Sequence, residues 1–340
     1  MRPFECACGA RVFFENVSCL ACSNELGYAP EYSAMAALSP SESGNYRIHL
    51  SSEFEYRKCQ NYLTYNACNW LVRADSPNEL CRSCGLNRIV PDLSNADTRV
   101  NWVRIEAAKR RLIYTIDQLG LPLTCESSDG PMSLAFEIKA DTDGSLVLTG
   151  HDHGVVTLKL EEADPVTLEQ TRIAMRERYR SMLGHLRHES GHFYFEVLLA
   201  NKPCLKQFRQ LFGDEQEDYG QALQRYYAAG HQAAVPPDFV SEYATAHPWE
   251  DWAETWAHYL HMVDVIETAS TFGAIANVTD TFSSMMERWI DLTVILNALN
   301  RSMGLKDAYP FQLADGVQRK LEFVHGVVRT FAASQRHLTD

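Results

Sequence analysis

The chain has 340 residues, 46% of them hydrophobic, enough for two domains and a sizeable core, and this excludes a disordered chain. The formal net charge of −13 argues against a nucleic-acid partner, which would need a basic surface. The longest apolar stretches, Phe193–Ala200 and Trp289–Leu299, are too short or too interrupted to span a membrane. Residues Met1–Cys6 lack the apolar core of a secretory signal, so a cytoplasmic location is expected.

Eight of the ten cysteines fall within the first 84 residues. With no export signal, metal binding is the stronger reading and a disulfide framework the weaker. Cys6-Ala7-Cys8 is followed by Cys19-Leu20-Ala21-Cys22, a C-x-C and a C-x-x-C that suit tetrahedral structural zinc. Gly9 permits the tight turn behind the first pair. Phe13 and Phe14 are placed to pack between the two knuckles. The second set is Cys59, Cys68, Cys81 and Cys84; its last pair is a clear C-x-x-C and its first pair is loosely spaced. Two four-thiolate sites are the simplest count, either consecutive or interleaved. Residues 1–100 carry nine Lys/Arg and eleven Asp/Glu, and two such sites bring the charge to about −6. A structural or protein-binding role follows, with Tyr28, Tyr32, Tyr56, Tyr62, Tyr65 and Trp70 as the core of a module that zinc folds. Cys125 and Cys204 stand alone and read as buried thiols.

Residues Val90–Arg99 read as a linker. Thr98 or Asn101 is expected to cap a helix over Trp102–Leu119 that ends at Gly120. Phe136–Lys139, Ser145–Thr149 and Val155–Leu160 read as a small antiparallel sheet, with turns at Asp141–Gly144 and Gly150–Gly154. His151, Asp152 and His153 fit turn chemistry better than a further metal site.

The segment from Glu169 to Leu199 reads as helical and contains His188-Glu189-Ser190-Gly191-His192, an H-E-x-x-H. Residues four apart share a helix face, so the two imidazoles can hold one metal ion while Glu189 reaches a water on it. Met182, Leu183, Leu186, Phe193 and Phe195 flank the motif at helical spacing. Gly191 costs helix stability, so something is expected to pack closely against it. Phe208–Gly213 and a helical run at Tyr219–Ala229 are placed to shape the cleft. Catalytic zinc normally takes three protein ligands and leaves a fourth position open. The richest downstream segment begins a helix at Pro248 and places Glu250 and Glu254 on one face, beside Ala253 and Ala257. Two stacked carboxylates suggest one zinc ligand and one acceptor for the N–H of a zinc-bound His. Trp249, Trp252 and Trp256 make a fully solvated helix unlikely.

H-E-x-x-H followed by E-x-x-A-E-x-x-A resembles the gluzincin metallopeptidases. A Tyr seven residues before the first Glu resembles the lethal-factor-like branch. The whole chain resembles a bacterial family of zinc-binding metallopeptidases with an N-terminal zinc ribbon. The matching stretches include Phe4–Gly9, Cys68–Val72, Gly150–Gly154, Leu183–Glu189, Glu250–Glu254 and Asn300–Gly304. The resemblance implies Glu250 as the ligand and Glu254 as the support of a zinc-bound His. It also implies Tyr243 as the oxyanion donor, with His258 and Tyr259 as further candidates for oxyanion or substrate contact.

The expected architecture is α+β. A zinc-ribbon domain over 1–95 precedes a mostly helical, gluzincin-like metallopeptidase domain over 98–340, with helices at Thr281–Asn300 and Val317–Ser334. The expected cofactors are one catalytic and two structural Zn²⁺, and the expected partner is a peptide or protein substrate, not nucleic acid or membrane. The competing expectations are an adaptor whose zinc ribbon binds a partner over an inactive scaffold, and a selective isopeptidase. The strand at Val155–Leu160 is expected to offer the substrate an edge.

Overall fold

The computed structural model describes residues 2–127, 130–142, 146–230, 234–276 and 281–336. The chain starts with an antiparallel hairpin, β1 (Phe4–Glu5) and β2 (Arg11–Val12), whose turn holds Cys6 and Cys8. Gly9 lies in that turn at φ +82° and donates its N–H to the Cys6 carbonyl at 2.8 Å. Next come β3 (Leu26–Ala29), β4 (Ala34–Pro40), β5 (Tyr46–Ile48), β6 (Ser51–Lys58), helix α1 (Gln60–Tyr65) and β7 (Leu71–Arg73). The five strands pair in chain order, all antiparallel. A bridge from Tyr28 to Trp70 brings β3 and β7, the two ends of that order, together. A Cβ on Gly27 would lie 2.7 Å from Leu71 Cγ, so glycine is what lets the sheet close there.

The aromatic core is partly as expected. Tyr28, Tyr56, Tyr62 and Trp70 are buried, while Tyr32 and Tyr65 are more than a third exposed. Phe14 is buried with its ring edge-on to Tyr28, Trp70 and Tyr114. Phe13, also expected inside, is exposed and stacks on Phe272.

After the last cysteine pair, β8 (Asn87–Ile89) leads to α2 (Ala96–Gln118). This helix starts six residues earlier than expected. Neither Thr98 nor Asn101 caps it; Asn95 does, accepting from the N–H groups of Asp97 and Thr98. The hairpin β9 (Thr124–Ser127) and β10 (Gly130–Ser133) precedes β11 (Ala135–Lys139), β12 (Gly150–Asp152) and β13 (Val155–Lys159). The expected antiparallel meander is instead a mixed sheet in the order β12-β13-β11-β8. β11 runs parallel to both β13 and β8, and only β12 is antiparallel. Leu146–Thr149 form no strand. Leu146 and Leu148 are about four-fifths exposed, so that stretch has no apolar face to bury; Ser145 lies outside the described residues. Val155–Lys159 is an inner strand and offers no edge. The edge belongs to β12, which lies against the helix carrying H-E-x-x-H.

The single helix expected from Glu169 to Leu199 is two: α3 (Pro165–Ala174) and α4 (Met182–Leu198). Arg176 turns left-handed at φ +55°, and Ser181 recaps the chain by accepting from the Gly184 N–H at 3.0 Å. Then follow α5 (Leu205–Phe212), α6 (Tyr219–Ala229), α7 (Pro248–Thr271), α8 (Phe282–Ser302) and α9 (Asp315–Arg336). α7 begins at Pro248, whose missing N–H costs nothing at a helix start.

α4 and α7 cross at Gly191 and Ala253. A Cβ on Gly191 would sit 2.9 Å from Ala253 Cα and 3.1 Å from Trp256 Cδ1. Trp252 Nε1 donates to the Gly191 carbonyl at 2.7 Å, and Trp256 Nε1 to Ser190 Oγ at 3.1 Å. Both indoles are fully buried, at on the order of 150–250 Å² of ring surface each. The close approach foreseen from Gly191 and Ala253 is therefore where the two helices meet, and it sets the distance between their side chains. No helix among the described residues is long and apolar enough to cross a membrane.

Candidate metal centres

The eight N-terminal cysteines gather as two consecutive sets. Cys6, Cys8, Cys19 and Cys22 form one, and Cys59, Cys68, Cys81 and Cys84 the other. Within each set the sulfurs lie within 4.8 Å of one another. Cys6–Cys22, Cys8–Cys19 and Cys68–Cys81 each stand 3.7 Å apart. A tetrahedral zinc with bonds of about 2.3 Å requires sulfurs about 3.8 Å apart, so the spacing fits. All ten cysteines are free of disulfides. Backbone N–H groups of Trp70, Cys81 and Cys84 donate to the sulfurs of Cys68, Cys59 and Cys81 at 3.3–3.4 Å. Such donors favour thiolates. Hydrogen bonds from the backbone of Cys22 and Ala21 lower the Cys19 thiol to about 7.

The third group is His188, His192 and Glu250, from α4 and α7, again with donor atoms within 4.8 Å. His188 Nε2 lies 3.0 Å and His192 Nε2 3.9 Å from Glu250 Oε2. Zinc bonds of about 2.0–2.1 Å put ligand atoms about 3.3 Å apart, and the two observed distances bracket that value. Three further observations fit a cation. Glu250 Oε2 is buried with no well-aligned hydrogen-bond donor, an expensive state for a carboxylate oxygen. Burial works against a charged His188, yet the carboxylates of Glu250 and Glu254 outweigh it and raise its pKa. The pocket thus holds surplus negative charge. Burial lowers His192 to about 3, leaving the neutral imidazole that binds metal.

Glu254 accepts from His188 Nδ1 at 2.7 Å, which holds a proton on Nδ1 and turns Nε2 toward Glu250. Glu189 is buried one residue along from His188, and desolvation raises its pKa. Tyr243 forms a single 3-10 turn, Tyr243–Thr245, just before α7, its ring 5.9 Å from that of His188. The structure takes His258 and Tyr259 elsewhere. His258 Nδ1 pairs with the Tyr309 hydroxyl at 2.7 Å, and the Tyr259 hydroxyl meets His325 Nδ1 at 3.3 Å, both inside the helical core. Their partners lie on the C-terminal part of the chain, Tyr309 between α8 and α9 and His325 on α9, rather than on α4.

A family profile described as "Putative zinc-binding metallo-peptidase" matches residues 98–327, and one described as "zinc-ribbon domain" matches residues 3–95. The chain belongs to this zinc-binding metallo-peptidase family. It is 41% identical over 339 residues to an uncharacterized protein of Mycobacterium bovis and to uncharacterized proteins of two Mycobacterium tuberculosis strains, covering 96% of this chain and 95% of each relative. No solved structure matches it. This member of the family thus joins two four-cysteine clusters to a His-His-Glu cluster on crossing helices.

Three further residues lie near that cluster, and of these the sequence singles out only His151, as turn chemistry rather than a metal ligand. Tyr219, at the first turn of α6, donates its hydroxyl to Glu250 Oε1 at 2.6 Å. His247 caps α7. His151, on β12, stacks on His192 with ring centroids 5.5 Å apart and accepts from the Gly154 N–H at 2.9 Å. Burial lowers His151 to about 4, so it stays neutral beside His192. The turn chemistry read at Gly150–Gly154 holds: Gly154 sits at φ +81°, and a Cβ there would lie 2.6 Å from the Ser133 carbonyl oxygen.

Proposed function

We propose that this protein is a zinc-dependent peptidase of the gluzincin type, and that it hydrolyses peptide bonds at the crossing of α4 and α7. The observation that carries the reading is the meeting of His188, His192 and the orphaned Glu250 Oε2. Glu189, the residue such a hydrolase needs as its base, stands beside them. His188, His192 and Glu250 would hold the catalytic Zn²⁺, and the two four-cysteine sets would each hold a structural one.

Zinc bound there would polarise the scissile carbonyl and lower the pKa of an attacking water. Glu189 takes the proton of that water and delivers it to the amine that leaves as the C–N bond breaks. Its buried position, which disfavours the charged carboxylate, makes it a better proton carrier near neutral pH. Tyr243 donates to the oxyanion as the carbonyl carbon becomes tetrahedral. Glu254 keeps the His188 imidazole turned so that Nε2 faces the cluster. The exposed side of β12 would pair with the substrate backbone as an added strand. Residues 1–95 act as the zinc ribbon and residues 98–340 as the peptidase. The substrate is a peptide or protein, met in the cytoplasm.

Glu189→Gln tests this. Zinc content should match the wild type, while cleavage of a peptide library, measured by mass spectrometry with and without chelator, should vanish. Cleavage by Glu189→Gln at the wild-type rate, or wild-type cleavage that survives complete zinc removal, would refute the reading.

A further inference from the structure

Glu250 has two carboxylate oxygens, and the structure treats them differently. Oε1 accepts the Tyr219 hydroxyl at 2.6 Å, a short charge-assisted hydrogen bond. Oε2 faces the two imidazoles and has no aligned donor. A buried carboxylate free at both oxygens could grip a cation with either or both. With Oε1 committed to a hydroxyl, only Oε2 remains.

Tyr219 is held in place from several sides. Asp218 caps α6 by accepting from the Gln221 N–H at 2.9 Å. His247 caps α7, its Nδ1 accepting from the Trp249 N–H at 3.1 Å. With Nδ1 as acceptor, its Nε2–H donates to the Glu217 carbonyl at 3.0 Å. One buried imidazole therefore ties the start of α6 to the start of α7. The Tyr219 ring lies 5.2 Å from that imidazole and 6.1 Å from the Trp249 indole. The hydroxyl has little freedom to point anywhere but at Glu250.

Tyr219 gives its one proton to Glu250 Oε1, so its oxygen is left able only to accept.

We propose that Tyr219 is a positioning residue: it restricts Glu250 to one-oxygen metal binding. The inference rests on the reading of His188, His192 and Glu250 as zinc ligands. It adds a metal-tuning hydroxyl supplied by α6, a helix that carries no ligand.

The test is Tyr219→Phe, which keeps the ring and its packing and removes only the hydroxyl. Zinc content and affinity are measured by chelator competition, and the coordination by visible absorption of the cobalt(II)-substituted protein. The two thiolate zincs report on folding in the same sample. In the wild type three zinc ions are expected. In Tyr219→Phe the thiolate pair should stay, while the third ion binds about 10–100-fold more weakly. Its cobalt band should weaken as Glu250 closes on the metal with both oxygens. Tyr243→Phe should keep the wild-type cobalt band while turnover falls. A Tyr219→Phe protein with wild-type zinc affinity and an unchanged cobalt band overturns the inference and leaves the peptidase reading standing. A wild-type protein holding only the two thiolate zincs overturns both.

Discussion

Gly191→Ala is the sharpest probe of how the fold builds the site. On an exposed helix the change gains roughly 1 kcal/mol, because glycine is the more flexible residue. At Gly191 the added methyl would lie 2.9 Å from the Ala253 Cα and 3.1 Å from Trp256 Cδ1. Carbon atoms prefer about 3.5–4.0 Å, so α4 and α7 must part by roughly half an ångström or more. Overpacking of this kind costs about 1–3 kcal/mol, so the net effect is a loss of up to about 2 kcal/mol. The function should suffer more than the stability. His192 neighbours Gly191, and Glu250 lies one helical turn before Ala253, so the same separation opens the gap that a bound cation would bridge. A shift of about 1 Å in a site can cost about 100-fold in rate. Gly326→Ala is the control: that glycine is exposed in α9, and a Cβ there meets nothing within 4 Å. Urea unfolding and zinc competition should show Gly326→Ala stabilised with full zinc affinity. Gly191→Ala should be destabilised, with the third zinc bound at least 10-fold more weakly. Ala253→Gly should restore only part of this, since the nearest atom is backbone. Equal stability and zinc affinity in the two alanine variants would refute the reasoning.

Two further predictions follow from other parts of the fold. Asp117 is buried near the end of α2, and desolvation raises it to about 6 even though Arg82 lies 2.9 Å away. Its folded pKa exceeds the unfolded value of about 3.9, so ionising it costs the folded state. That cost is absent below pH 4, grows as pH rises to 6, and reaches roughly 3 kcal/mol above that. Asp117→Asn should therefore be at least as stable as the wild type at pH 7, with the difference closing near pH 4 in urea titrations; a variant less stable at pH 7 by the same margin would reverse the sign. Chelation should empty the cysteine sets in order. In a chain carrying His188→Gln and His192→Gln, a zinc indicator should record one fast and one slow release, the fast one from the first set, where Cys8 is exposed and Cys22 half-buried. Release of both at one rate would contradict this.

The parts that could be read in sequence were those set by local spacing. H-E-x-x-H puts His188 and His192 on one face because a helix turns every 3.6 residues, and Pro248 marks a helix start whatever surrounds it. Gly191 and Ala253 announced a close crossing through their size alone. What escaped was long-range or lacked the usual punctuation. The break between α3 and α4 uses Arg176 in a left-handed turn, with no glycine or proline to mark it. The parallel pairing of β11 with β8 joins strands nearly fifty residues apart in the chain, and no local alternation encodes it. Tyr219 is one of fifteen tyrosines, and only the meeting of α6 with α7 distinguishes it.

The second cysteine set is built into the structure that supports the H-E-x-x-H helix. All four of its cysteines are buried. Cys84 Sγ lies 3.7 Å from Glu106 on α2, and Glu106 pairs with the fully buried Lys109 at 2.8 Å. Four thiolates and one zinc would carry about −2, and the buried Lys109 ammonium offsets the Glu106 carboxylate that lies against them. Three residues past Cys84 the chain enters β8, and β8 hydrogen-bonds to β11. The same sheet ends in β12, whose His151 rests on His192. Loss of zinc at Cys59, Cys68, Cys81 and Cys84 would loosen β8 and α2 together and so reach the helix that holds the H-E-x-x-H. The first set has no such strand path: its hairpin pairs only with itself among the named strands, and it reaches α2 only through side chains such as Phe14 against Tyr114. In the wild-type chain, hydrolysis should therefore outlast the zinc of the first set and stop with that of the second.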